Sequence, residues 1–203
     1  MSKKTSIMLT VIMIAPLLFL GAAVDTANGE ETRVTMEQVK QALAGSKDLS
    51  GKDLSNMDLS KMDLSGANLN MANLAGANLA GANLSKASIN GAYLNQTNLK
   101  EANLSDAKIE RADLSGADLS GADLRRTDLS KSHLDGAYLN GADLGKARLN
   151  GADLRGTSMQ GADLRDADLS GANLDGTDFT DASVQSVRNL DNAMNRQKAK
   201  GLK

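Results

Sequence analysis

Ala112-Asp113-Leu114-Ser115-Gly116-Ala117-Asp118-Leu119-Ser120-Gly121-Ala122-Asp123-Leu124 is a single unit of five residues written repeatedly. Extended outward, the register holds without a gap from Leu49 to Val184. Leu fills 23 of the 28 central positions in that span, and Ile89, Ile109, Met159, Phe179 and Val184 fill the others. Two residues before each centre, from Ala67 to Ala182, stand 19 Ala, four Thr and one Ser. The residue between is usually Asp or Asn, as in Ala117-Asp118-Leu119 or Ala172-Asn173-Leu174.

A period of five fits neither regular element as a continuous stretch. On an α-helix each step of five turns the side chain by about 140°, so the Leu would spiral over every face. Along one long strand successive Leu would alternate between faces. Ala and Leu, however, are two apart and share a face within each repeat. The pattern therefore predicts a short extended piece with two side chains inward, then a corner, then the same again. A coil of such pieces buries every Ala and Leu around one axis and pairs its backbone with the coils above and below.

Residues two after the centres set the length of one coil. They are Gly in 13 of 24 repeats between Gly66 and Asp181. The charged exceptions Lys86, Asp106, Arg126, Lys146 and Asp166 recur every 20 residues, and Gly121, Gly141 and Gly161 recur on the neighbouring row. A coil of 15 would mix Lys86 with Glu101, Gly116 and Lys131, so four repeats per coil sorts the rows better.

This tandem Ala-Asp/Asn-Leu-x-x pattern resembles the pentapeptide-repeat family over residues 47–184. The resemblance implies an all-β solenoid, a right-handed quadrilateral β-helix of about seven four-repeat coils with Leu and Ala inside. At a strand spacing of about 4.8 Å the rod would be about 34 Å long before its caps. Each buried Leu is worth about 1.5–3 kcal/mol relative to exposure. The Ala column admits only small residues, since overpacking also destabilises; Thr97, Thr127, Ser132, Thr157 and Thr177 respect that limit.

The ends depart from the repeat. Lys47, Lys52, Met57 and Met62 occupy the Ala column of the first coil. Ammonium groups do not belong in a closed apolar core, so these Lys are expected to reach past its end. Ahead of them, Thr35-Met36-Glu37-Gln38 has the form of a capping box. Val39, Ala42 and Leu43 share one helical face and Gly45 stops the helix, which predicts a short capping helix over 35–45. At the other end Val184, Val187, Leu190 and Met194 recur at helical spacing, so residues 185–203 are read as a C-terminal capping helix and a frayed basic tail of Arg196, Lys198, Lys200 and Lys203. The repeat domain is placed at 46–184.

The N-terminus has the order of an export signal. Lys3 and Lys4 precede the apolar run Ile7–Leu20, and Gly21, Ala22 and Ala23 follow. Residues 1–23 are read as a signal peptide cleaved after Ala23, and 24–34 as a flexible linker. An uncleaved anchor is the alternative, because Ser6–Val24 is long enough to span a bilayer; Pro16 and the small residues favour cleavage. The expected location is the periplasm or outside the cell, or the thylakoid lumen in a phototroph, without membrane insertion after cleavage.

Composition narrows the chemistry. Aromatic residues are only 2% of the 203, and there is no Cys, so disulfides, thiolate metal sites and cysteine nucleophiles are excluded. Without residues 1–23 the chain carries 21 basic and 25 acidic residues, a net −4, which argues against a nucleic-acid partner. His133 is the single histidine, too few for a His-based metal cluster. Asp123, Asp143 and Asp163 should stack about 4.8 Å apart, but Arg125, Arg126, Lys146 and Arg165 lie beside them and mutual neutralisation is expected instead of a cation site. No catalytic, cofactor or metal residue is assigned, and the protein is read as not an enzyme.

What remains is a surface. Its candidate residues are the charged row Lys86, Asp106, Arg126, Lys146 and Asp166, the carboxylates Asp123, Asp143 and Asp163, and the outward rings Tyr93, His133 and Tyr138, since exposed aromatics are enriched at interfaces. The expected function is a scaffold presenting a stiff surface to an unidentified protein, as a monomer or as an end-to-end dimer through the C-terminal cap. The resemblance also implies an alternative, a DNA mimic that protects or inhibits a topoisomerase. The modest net charge, the interspersed Lys and Arg, and Phe in the central column only at Phe179 weigh against it.

Overall fold

The computed structural model describes residues 33–202. The segment 1–23 read as a signal peptide, the part of the expected linker up to residue 32, and Lys203 lie outside the described residues. No helix among the described residues is long and apolar enough to cross a membrane.

Every repeat contributes one short parallel rung. Asp48 bridges to Asn68, Asn68 to Ser88, Ser88 to Lys108, and onward through Asp128, Arg148 and Asp168 to Arg188, a step of 20 residues each time. Three further columns start at Asp53, Asp58 and Asp63. One coil is therefore four repeats, and the β-helix has four sides, named here for their first Leu: Leu49, Leu54, Leu59 and Leu64.

The hydrogen bonds explain each residue type in the repeat. Around Leu119, Ala117 N–H donates to Leu114 O at 3.0 Å and closes the preceding corner. Asp118 N–H reaches down to Thr97 O at 3.0 Å, whereas Leu119 and Gly121 N–H reach up to Tyr138 O and Asn140 O at 2.7 and 3.0 Å. Only the Ser120 N–H has no backbone partner, and the Asp118 Oδ1 accepts it at 3.1 Å. The Asp/Asn position is thus an Asx turn repeated at most corners, because an unpaired backbone donor is costly to bury. The corner residue itself has positive φ, +68° at Gly121 and +62° at Lys146. Positive φ at the third residue of a four-residue turn marks a type II turn, which favours Gly; the Lys, Asp and Arg on that row accept the strain.

Inside, the Leu and Ala columns are buried from Leu49 to Phe179. The polar members of the Ala column are satisfied locally: Thr97, Thr127, Thr157 and Thr177 Oγ1 donate to the carbonyls of Leu74, Leu104, Leu134 and Leu154 at 2.7–2.9 Å. Ser132 donates likewise to Ile109 O. A buried hydroxyl is tolerated when it finds such an acceptor.

The N-terminal end is covered by helix α1, Met36–Ala44. Thr35 Oγ1 accepts the Gln38 N–H at 3.3 Å and Gln38 Oε1 accepts the Thr35 N–H at 2.8 Å, both halves of a capping box. Val39 is buried in the core, with Met36, Ala42 and Leu43 packed against it. Lys52 stays exposed, while Lys47 is half-buried and its Nζ donates to Ser65 O at 2.8 Å. That carbonyl belongs to a row that elsewhere receives a corner N–H from the coil below, as Ser85 O does from Gly66 at 2.9 Å.

The C-terminal end differs from the expected α-helix and loose tail. The short helix at this end takes the form of two single 3-10 turns, Leu190–Asn192 and Arg196–Lys198. Around them the coil continues past 184, with rungs Asp168–Arg188, Asn173–Met194 and Asp178–Lys200. Asn189 and Asn195 adopt left-handed backbone, φ 57° and 56°, which interrupts an α-helix and which Asn tolerates well. Their Nδ2 groups donate to Asp168 Oδ1 and Asn173 Oδ1 at 3.0 and 2.8 Å. Six-residue sides and the open edge of the previous coil thus win over the helical spacing of Val184, Val187, Leu190 and Met194. Arg196, Lys198 and Lys200 belong to this coil, and Lys198 pairs with Asp175 at 2.8 Å.

Candidate interaction surface

The outward residues fall into three arrangements. Lys86, Asp106, Arg126, Lys146 and Asp166 all occupy left-handed corners, with φ between 59° and 62°. Arg126 clamps Asp106 with Nε–Oδ1 at 2.7 Å and Nη2–Oδ2 at 2.8 Å. The Arg126 hydrogen bond holds the Asp106 carboxyl below its ordinary pKa. Within this row Arg126 and Asp106 neutralise each other, and an exposed pair of this kind is worth little to stability.

Asp123, Asp143 and Asp163 do stack on the Leu64 side as successive rungs. Arg125 Nε donates to Asp123 Oδ1 at 2.8 Å and lies 3.5 Å from Asp143 Oδ2, while Arg165 Nε donates to Asp163 Oδ1 at 2.9 Å. Asp123 and Asp163 are held below the usual carboxylate range, first of all by these Arg hydrogen bonds. Gly145 leaves room between the two Arg; a Cβ there would stand 3.1 Å from Asp143 Oδ1.

The rings are not one patch. Tyr93 and His133 share the Leu54 side with Asp113 between them, and Tyr138 stands on the Leu59 side. His133 and Tyr138 flank a single corner, Gly136, whereas Tyr93 is two coils away. Both Tyr side chains are half in solvent, at 51% exposure each.

A feature not read from the sequence separates these rings from their neighbours. They stand in the Asp/Asn position, where the fold needs an acceptor for the N–H two residues on. At Ser88, Lys108 and Ser158 the loss is made good, because Asn70, Asn90 and Asn140 of the preceding coil accept from Asn90, Glu110 and Gln160 N–H at 2.9, 2.9 and 3.2 Å. At Tyr93, His133, Tyr138, Arg148 and Ser183 it is not: the N–H groups of Asn95, Asp135, Asn140, Asn150 and Gln185 meet no protein acceptor among the described residues. A second feature is the grouping of His133 with Asp135 and Asp153, one donor atom of each lying within 4.8 Å of the others. Separations of two and 20 residues were the signal that could have found it.

Eight copies of the family pattern described as pentapeptide repeats match residues 48–81, 77–116, 109–145, 117–156 and 147–185. The chain belongs to the pentapeptide-repeat family. Solved relatives of this family are right-handed quadrilateral β-helices, and so is this chain. A trypsin-treated form of QnrB1, a plasmid-mediated fluoroquinolone resistance protein, is 23% identical with a TM-score of 0.62, covering 66% of this chain and 70% of its own. HetL, involved in heterocyst differentiation regulation in the cyanobacterium Nostoc sp. strain PCC 7120, is 24% identical over 83% of this chain and 95% of its own, with a TM-score of 0.41. The protein alr5209 from the same organism is 33% identical over 61% and 84%, with a TM-score of 0.38. No curated protein matches. Proteins of the family are in general scaffolds without enzymatic activity.

Proposed function

We propose that this chain is an exported scaffold whose outward sides hold a protein partner. One observation carries the reading: Tyr93 and Tyr138 stand where the coil needs Asp or Asn, and among the described residues no neighbour replaces the acceptor they displace. Residues that cost the fold a hydrogen bond and project a half-exposed ring are candidates for contact with another molecule. The positive and apolar start, Lys3 to Leu20, supports export. Charges on the Leu49 side alternate in sign, with Arg148 Nη1 3.1 Å from Asp128 Oδ2, which favours a mixed protein surface over an acidic imitation of DNA. Half-buried Val187, Leu190 and Leu202 at the C-terminal end are what an end-to-end dimer would cover.

The test uses substitutions that restore the fold's own preference. Tyr93→Asn together with Tyr138→Asn should preserve the thermal transition while abolishing cross-linking to a partner in the exported fraction. Undiminished capture by this double variant would remove both rings from the interface. Recovery of the full-length chain from the cytosol would overturn the export assignment.

A further inference from the structure

We propose that His133, Asp135 and Asp153 form a binding site for a divalent cation of the Zn2+ class, at the edge between the Leu54 and Leu59 sides. The coil builds the site from its own period. His133 and Asp135 lie two apart on one rung and project outward together. Asp153 stands directly above His133 through a parallel bridge. One nitrogen or carboxylate oxygen from each lies within 4.8 Å of the others. Zinc binds imidazole nitrogen at about 2.0–2.1 Å and carboxylate oxygen at about 2.0–2.2 Å, so ligands on one ion stand about 3–4 Å apart. Small side-chain rotations close that gap, and these side chains have room for them: His133 is exposed and both Asp are half-exposed.

The donor set decides the class of ion. One imidazole and two carboxylates suit Zn2+ and its first-row neighbours, whereas Ca2+ takes six to eight oxygens. Among the described residues the imidazole makes no hydrogen bond that would hold the coil. His133 forgoes the Asx turn, leaving the Asp135 N–H without a protein acceptor among the described residues, where Asp or Asn would have closed it. The surrounding corners Gly116, Gly136 and Gly156 have no side chains to cover the site.

Arg155 is the competitor. It stands above Asp135 and holds Asp153 through Nε–Oδ1 at 2.8 Å, Nε–Oδ2 at 3.0 Å and Nη2–Oδ2 at 2.6 Å. With the guanidinium in place the two carboxylates are partly neutralised. Turned toward Asp175, one coil further on the same row, it leaves two negative charges facing a divalent ion. The site therefore binds metal against an internal cation, and removing that cation should strengthen binding while removing the imidazole destroys it.

These opposite signs make the test. Calorimetric titration of the untagged full chain with Zn2+ alone should show one ion per chain. His133→Asn, which restores the turn acceptor and so spares the fold, should abolish the binding. Arg155→Gln should tighten it at least threefold. Absence of binding by the unaltered chain, undiminished binding by His133→Asn, weaker binding by Arg155→Gln, or preference for Ca2+ over Zn2+ would each overturn the proposal. The site is independent of any protein partner, and its outcome does not depend on the scaffold reading.

Discussion

The first two coils and the fifth and sixth are built on the same core but treat their outward column in opposite ways. In the first coil the four sides carry Asp48, Asp53, Asp58 and Asp63, and above them stand Asn68, Asn73, Asn78 and Asn83. Each Asn Nδ2 donates to the Asp Oδ1 beneath, at 2.9, 3.0, 3.0 and 3.1 Å. That same oxygen accepts the N–H two residues along its own rung, as Asp58 does from Ser60 at 3.1 Å. In the fifth and sixth coils the column reads Asp128, His133, Tyr138, Asp143, Arg148, Asp153, Ser158, Asp163. Three of those eight positions leave a turn N–H without a protein acceptor among the described residues. The Leu and Ala beneath them are as fully buried as in the second coil. Burial holds the solenoid; the outward column refines it, and the fifth and sixth coils have relinquished part of that refinement.

The largest effect should come from the shared core and be the same in both regions. Leu59→Ala and Leu139→Ala, both fully buried, should each cost about 2–5 kcal/mol, the transfer term plus the cavity left in a close-packed interior. Leu119→Lys should abolish the cooperative thermal transition, because an ammonium cannot be buried there without a partner. A Leu119→Lys chain that melts like the unaltered protein would show that this column does not face inward.

Acid should separate the regions. Asp48, Asp53, Asp58 and Asp63 are all held below the ordinary carboxylate range, first by the hydroxyl and then by the N–H of the Ser two residues on. Asp178 near the last coil, held by Thr180 in the same way, is lowered to about 2. A depressed folded pKa gives stability that is complete above the unfolded value and is lost as pH falls through the folded one. Melting temperature should therefore drop between about pH 4 and pH 2. Replacing the four first-coil Asp with Asn should flatten that drop, since Asn98 over Asn78, at 3.0 Å, shows that an amide serves the same rung without titrating. An unchanged pH profile would mean the first coil does not take part in acid unfolding.

These outcomes also mark how far the sequence could be read. Inward Leu and Ala follow from a period that no helix or flat strand accommodates, and the 20-residue coil from the row Lys86 to Asp166. The reason for Asp and Asn was hidden, because it lies in the direction of a single N–H in five. Left-handed corners were masked as well: Lys, Asp or Arg holds positions such as Lys86, Asp106 and Arg126, where Gly would have advertised the conformation. At the C-terminus, Val184, Val187, Leu190 and Met194 satisfy both a helix and a coil with six-residue sides. Only the preceding coil's open edge, together with Asn189 and Asn195, decides between them. Of the candidate surface, the pairing of charges was legible from the rows. The grouping of His133 with Asp135 and Asp153 was not, because one histidine read alone argues against a metal.

The finest distinction between the regions rests on a single rung, and it can be reversed. Asp118 lies directly beneath Tyr138, as Asp58 lies beneath Asn78. Asp118→Ala removes the acceptor of the Ser120 N–H and should cost about 1 kcal/mol, the net worth of one hydrogen bond. Asp118→Asn keeps that oxygen and loses only the Lys100 contact at 3.0 Å, an exposed pair of little weight, so its stability should hardly move. Tyr138→Asn works in the opposite direction. It supplies an acceptor for the Asn140 N–H and an amide that can donate to Asp118, which recreates the rung of the second coil. A gain of up to about 1 kcal/mol, or about 2–4 °C in melting temperature for a chain of this size, should follow. A loss of stability instead would mean that the Tyr138 ring, although half in solvent, contributes more by lying along the Leu59 side than the missing turn costs. The fifth and sixth coils would then be specialised for packing and not relaxed for contact.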